Sequence, residues 1–131
     1  MAAPPIVGNP PMVRTGAARE YVNAHFGGPT YEVESNPTIS TTVSILVKAN
    51  PDRVGLVVFN LGANDVYFAF NNAVSTTNGV KIANSGAGVS LDVTEDFTLV
   101  AREFDAISAA ATSACYVLEI IRLLATGPVT G

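Results

Sequence analysis

The chain has 131 residues, 48% of them hydrophobic, 14% charged and 8% aromatic, with no tryptophan; this is the size of one globular domain, large enough to bury roughly two-thirds of its unfolded surface without a metal or disulfide staple. Seven Lys and Arg against eleven Asp and Glu leave a net charge of -4, with no basic patch to neutralise phosphates, which excludes nucleic-acid binding as the main role. No apolar run approaches the roughly 20 residues of a spanning helix, the N-terminal residues lack the pattern of an export signal, and the lone Cys115 cannot close an intramolecular disulfide, so no membrane span and assembly in a reducing compartment are expected.

Residues 1–29 form the first of three expected regions and carry five of the eight prolines, at Pro4, Pro5, Pro10, Pro11 and Pro29. Prolines this dense remove backbone donors and favour extended or polyproline II backbone, so the first dozen residues are expected to run as an arm. Ile6, Val7, Met12 and Val13 on that arm are side chains that a solvated tail does not need, and a docking role is expected for them. Ala18, Tyr21, Val22 and His25 recur at helical spacing and Gly27-Gly28-Pro29 stops them, which predicts one short helix over 17–26.

The second region, residues 30–125, reads as β-structure. Residues 38–49 alternate with period two, which predicts one half-buried strand with Ile39, Thr41, Val43, Ile45 and Val47 on its inner face. Asn50-Pro51-Asp52 breaks it, and residues 53–61 are apolar on both faces, as expected of a central strand covered on each side. Gly62–Asp65 turns the chain into Val66–Phe70, whose Phe68 and Phe70 share a face, and the two segments read as a hairpin. Asn78-Gly79 has the composition of a type I′ turn. Short strands are expected at residues 80–82, 89–93, 97–101 and 104–107, and a central one at 115–122. This pattern predicts an all-β fold, an antiparallel β-sandwich or barrel of jelly-roll type, preceded by the extended arm and the one short helix. Residues 126–131 are expected to leave the core as a short extended tail.

The candidate chemistry is sparse. His25 is the only histidine, with no recognisable nucleophile or orienting acid for a triad, and Cys115 opens a core strand with no cation nearby, which suits a plain core residue. Glu32 with Glu34, and Glu103 with Asp105, stand two apart on strands and so share a face, a spacing that permits an acid/base pair, but a solvated strand face is the favoured account. Asp92, Glu95 and Asp96 lack the spacing of a calcium loop and read as a surface turn. Asn84–Gly88 lacks the Gly-Lys-Ser/Thr and following helix of a phosphate loop. Arg102 and Arg122, on apolar strands, need partners, for which Glu103, Asp105 and Glu119 are the candidates. No catalytic, cofactor or metal site is expected, and the chain reads as a non-enzyme.

Residues 50–62, Asn64–Tyr67, Val74–Gly79, Ala101–Ser108 and Tyr116–Arg122 together resemble small β-domain structural proteins of tailed bacteriophages, over roughly residues 38–123. The resemblance implies a virion protein assembled in the host cytoplasm, a homo-oligomer with a trimer favoured, bound to the major capsid protein or to other virion proteins. A capsid decoration or cement protein that stabilises the head is the first expectation; a tail, baseplate or head-fibre adaptor is the second, and a carbohydrate-binding β-sandwich the third. In the first, Pro4, Pro5, Ile6, Val7, Pro10, Pro11, Met12 and Val13 form the protein interface. An extended arm of about 12 to 15 residues reaches roughly 40 to 50 Å, enough to lie over a neighbour.

Overall fold

The computed structural model describes residues 10–123, with side chains from residue 17 on. Pro4, Pro5, Ile6, Val7 and the tail at 126–131 lie outside the described residues. The chain divides into two compact units, Met1–Tyr31 with Arg122–Gly131, and Glu32–Ile121.

The first unit holds helix α1 (Pro10–Phe26). This corrects the expected arm, because Pro10, Pro11, Met12 and Val13 are helical rather than extended, and the helix begins well before residue 17. Proline is at home in a first helical turn: its fixed φ near −65° is already helical, and the N–H it lacks would have had no partner inside the helix. Tyr21 and His25, one turn apart, stack at 5.3 Å, and His25 meets Phe26 edge-on at 4.8 Å. The helix stops where the sequence says it should, at Gly27 with φ 77°, the left-handed position that glycine favours at a helix end.

The second unit is an antiparallel sandwich. Its strands are β1 (Thr30–Ser35, which begins just before the boundary), β2 (Thr38–Ile39), β3 (Ser44–Val47), β4 (Arg53–Asn60), β5 (Val66–Ala69), β6 (Val80–Ile82), β7 (Ala87–Asp92), β8 (Phe104–Ser108) and β9 (Ser113–Arg122). One sheet has the order β1-β9-β4-β7, with β2 also paired to β9, and the other β3-β8-β5-β6. Setting the short β2 aside, eight strands divide into two four-stranded sheets in the double Greek-key order of a jelly roll. The long apolar segments β4 and β9 take interior positions, where a strand meets neighbours on both sides.

The core lies between the sheets. Leu56 and Val58 of β4 and Cys115 and Val117 of β9 face Val66 and Phe68 of β5 and Phe104 and Ala106 of β8. Phe104 stacks on Phe68 at 5.3 Å and takes Phe70 edge-on at 4.9 Å, so Phe68 and Phe70 do share a face. Arg102 sits over the outer side of this cluster, 5.2 Å from the Phe70 ring, which supplies it with a cation–π contact instead of the expected carboxylate.

Two connections differ from the expected ones for a common reason: the chain changes sheet within a polar corner. The expected strand 38–49 is two strands, since Ile39 pairs with Ser113 of β9 while the Ser40 carbonyl already accepts from Ser108 N of β8. Crossing over resets the alternation, and a bulge between Ile45 and Val47 turns both Leu46 and Val47 inward and leaves Ile45 exposed. Likewise β4 and β5 are not a hairpin. Leu61 N still donates to Ala114 O on the first sheet, whereas Val66 pairs with Ser108 on the second. The expected type I′ turn also shifts, because the Ser75–Asn78 bridge places Thr76-Thr77 at its tip.

Residues 97–101 are not a strand. They follow helix α2 (Val93–Asp96) as a 3-10 turn. Asp92 caps α2 by accepting from Thr94 N and Glu95 N, and Asp96 returns to accept from Asp92 N. The Asp92 carboxyl is held below its ordinary range by the Thr94 hydroxyl first and these backbone donors next. At the junction, Phe97 has φ 56°, ψ −135° and is 72% exposed. A side chain in that region of backbone space costs about 1–3 kcal/mol, with little burial to offset it. Phe97→Gly is expected to stabilise the isolated protein by about 1 kcal/mol, read as a higher urea midpoint. A lower midpoint would mean that the exposed ring contributes more than the strain costs.

Candidate docking surface

Alternation along β4 turns Leu56, Val58 and Asn60 into the sandwich and Val57 and Phe59 out. The register sets Val57 opposite Leu118 on β9 and Ser90 on β7, and Phe59 opposite Tyr116 and Gly88. Directly opposed residues share a face, so the outer side of this sheet carries Val57, Phe59, Tyr116 and Leu118 side by side. Phe59 is 39% exposed. The expected cover on both sides of β4 is therefore present on the core side, while the outer side is open at this ring. Phe59 and Tyr116 lie 6.5 Å apart with their planes tilted by 35°. The absence of a side chain at Gly88 makes room for the Phe59 ring, since a Cβ there would come within 2.4 Å of it. A shallow groove of about 230 Å³ lies beside Phe59 between β4 and β7, walled by Val57, Phe59, Gly88, Val89 and Ser90.

Beyond Tyr116, the apolar strip is bordered by acid on β1. The Tyr116 phenol has its pKa raised by burial first, then by the negative charge of Glu34 and a hydrogen bond to that carboxylate. Glu32, two residues back on β1, falls on the same side by alternation. Both glutamates are exposed, and they fringe an apolar surface rather than face each other across a cleft.

The second carboxylate pair is in contact. Glu103 is pushed above its ordinary range by a hydrogen bond to Asp105 first, then by desolvation and the charge of Asp105, with Lys48 opposing. Asp105 is 4% exposed and its Oδ1 has no hydrogen-bond partner. Two carboxyls in direct contact lack the roughly 5–9.5 Å separation at which a glycosidase pair flanks a sugar bond. Among the described residues, no group of three or more His, Cys, Asp or Glu converges as a metal site would require.

Three amides of the glycine loop are already committed within the protein. Asn84 N donates to Asp65 Oδ1, Ser85 N to Gly62 O and Gly86 N to Asn60 O, at 3.0, 2.9 and 2.7 Å. Asp65, which also meets Lys81 at 3.5 Å, is held below its ordinary range chiefly by the Asn84 backbone donor. Cys115 is 1% exposed in the core, and burial pushes its thiol up to about 11. His25 and Cys115 belong to different units.

The partner expected for Arg102 or Arg122 goes elsewhere: Glu119 pairs with Arg53, Nε to Oε1 at 3.0 Å. Arg122 donates to Phe26 O at 3.4 Å. Arg53 was missed as a structural residue, although a lone cation opening an apolar strand after Asn-Pro-Asp is a visible signal that something must receive it.

No family model matches the chain, and no curated protein matches it. Among solved structures, a chain of "Bacillus endospore appendages form a novel family of disulfide-linked pili" is similar over 72% of this chain and 88% of its own, with 16% identity and a TM-score of 0.43.

Proposed function

We propose that the protein is a structural subunit that works by adhesion, as a capsid decoration or cement protein bound to the major capsid protein. The observation that supports this is the outer face of the β1-β9-β4-β7 sheet, where Phe59, Tyr116, Val57 and Leu118 form an apolar strip with a polar border. Partly exposed aromatics at the centre of a patch are the usual anchors of protein interfaces. Repeated over many copies on a particle, modest contacts of this kind add through avidity and brace the shell against the pressure of packaged DNA. Capsid subunits share the jelly roll with lectins and cupins, so the reading rests on this face and on the phage resemblance more than on the fold.

The test is binding of the purified protein to expanded, decoration-free particles of the phage that encodes it. Saturable binding is expected, and Phe59→Asp should weaken it about 30-fold or more, because a charge would be buried without a partner. Its melting temperature should stay within a few degrees of the parent, as the side chain faces outward. Equal binding by the variant would overturn the docking face. Cross-links to tail proteins instead of capsid neighbours in intact virions would move the protein to the tail or baseplate.

A further inference from the structure

We infer that Phe97 of one copy seats in the groove between α1 and the start of β1 of a second copy, so that chains associate head to tail. Neither surface belongs to the sheet face assigned to the particle contact, so the inference goes beyond that reading.

Phe97 is the most exposed large apolar side chain among the described residues, at 72%, and Leu99 beside it is 38% exposed. The ring is presented on a fixed corner: its backbone stands at φ 56°, ψ −135°, directly after the turn that Asp92 and Asp96 close. Backbone strain of this kind concentrates where a group is used in binding, and a strained aromatic left in water gains nothing in the free chain to offset it. Residues 92–101 hold three acids and no cation. Asp92 and Asp96 are engaged within the turn, which leaves the exposed Glu95 as the acid able to meet a partner.

The groove has the matching chemistry. Ala18, Arg19, Val22 and Asn23 are neighbours on one side of α1, and the turn at Gly27 brings Pro29 and Thr30 across from them, leaving about 290 Å³ between. Ala18, Val22 and Pro29 offer apolar contact; Arg19, Asn23 and Thr30 offer polar groups. A cavity of about 150 Å³ already holds benzene, so a phenyl ring fits here. Neither Arg19 nor Glu95 has an ion-pair partner among the described residues, and with Phe97 seated the two opposite charges meet at the rim. The helix gains as well. Over residues 17–25 of α1 only Val22 is even half-buried, and helices of this length are marginal without packing. Because ring and groove are different surfaces, the contact repeats from copy to copy, closing into a ring or running on as a chain.

The test is sedimentation of the full chain over a concentration series, read beside the urea midpoint. The parent is expected to associate reversibly. Phe97→Gly should weaken association roughly tenfold or more while raising the midpoint, a combination that a ring with a purely structural role would not give. Ala18→Gln, at an exposed helix position, should fill the groove and weaken association to a similar degree. An equimolar mixture of these two variants should recover association but stop at a dimer, because one intact ring and one intact groove remain. Arg19→Glu and Glu95→Arg should each weaken association about fivefold, and both together in one chain should restore it. Phe59→Asp, on the other face, should leave association unchanged whether or not it abolishes particle binding. A parent that stays monomeric throughout overturns the inference and gives the groove to another occupant. Association that survives Phe97→Gly, a mixture that does not pair, or association lost in Phe59→Asp overturns it as well.

Discussion

Arg53→Met is expected to destabilise the protein by about 3–5 kcal/mol and lower its melting temperature by about 10–15 °C. Arg53 is 2% exposed at the start of β4. Its Nε donates to Glu119 on β9, Nη1 to Val100 O at 2.9 Å and Arg102 O at 3.0 Å, and Nη2 to Lys48 O. Four of its five donors are used, and one planar group ties the β4–β9 pair to the end of β3 and the approach to β8. Methionine fills the volume but leaves three backbone carbonyls without their donor, and these cannot be mutated away. That distinguishes this site from a simple buried ion pair, which hydrophobic residues can replace without loss. Arg53→Lys should recover only part of the stability, since a single ammonium cannot reproduce the fork. Glu119→Gln should cost about 1–2 kcal/mol, because the guanidinium keeps all three carbonyls. Urea unfolding of the three variants checks the order; equal losses for Arg53→Met and Glu119→Gln would mean that the ion pair, not the carbonyl set, holds the corner.

What the sequence made legible follows the physics of each segment. Strands β4 and β9 could be read because their long apolar runs supply the core face and an apolar strip on the outer face, and the jelly-roll class because many short strands punctuated by Gly, Asn and Pro have few other solutions. The sheet changes at Ser40 and Gly62 could not, since period-two alternation is local and carries no record of which sheet a strand joins. Residues 97–101 were misread because Phe-Thr-Leu-Val-Ala has strand composition, while the deciding signal lay upstream: Asp92 three residues before Glu95 is the spacing of a helix cap. Pro10-Pro11 misled in the opposite direction, as two adjacent prolines fit a first helical turn as well as an arm.

The candidate site was harder to read than the fold. Phe59 looks like any core residue in Val-Val-Phe-Asn, and only the register with Tyr116 and Gly88 shows that it faces outward. The acids at Glu103 and Asp105 read as a solvated strand face, whereas Asp105 is 4% exposed and in contact with Glu103, which their spacing alone did not say. The outward strip is assembled from strands β4, β7 and β9, which are distant in sequence.

Gly62→Ala is the second substitution expected to have a large effect, about 3 kcal/mol and about 10 °C in melting temperature. The obstacle is space rather than backbone conformation. A Cβ at position 62 would lie 2.1 Å from Ser113 Oγ, 2.7 Å from Ala114 N and 2.8 Å from Ser113 Cα. Ser113 cannot simply turn away, because its hydroxyl bridges Asn60 Oδ1 at 2.7 Å and Asn64 O at 3.0 Å. Asn60 itself is fully buried, accepting also from Gly62 N and donating through Nδ2 to Asn64 O and Ile82 O. This closed set of bonds is what turns β4 out of one sheet and into the other, so a methyl group here strains the corner that defines the sandwich. Ser113→Ala alone should cost about 1–2 kcal/mol for its lost hydrogen bonds. In the double variant the shortest clash disappears while those at Ala114 N and Ser113 Cα remain, so the combined loss should fall short of the sum of the single losses by about 1 kcal/mol. Strict additivity would mean that the backbone at Gly62 relaxes away from β9, and that the corner tolerates more movement than its hydrogen bonds imply.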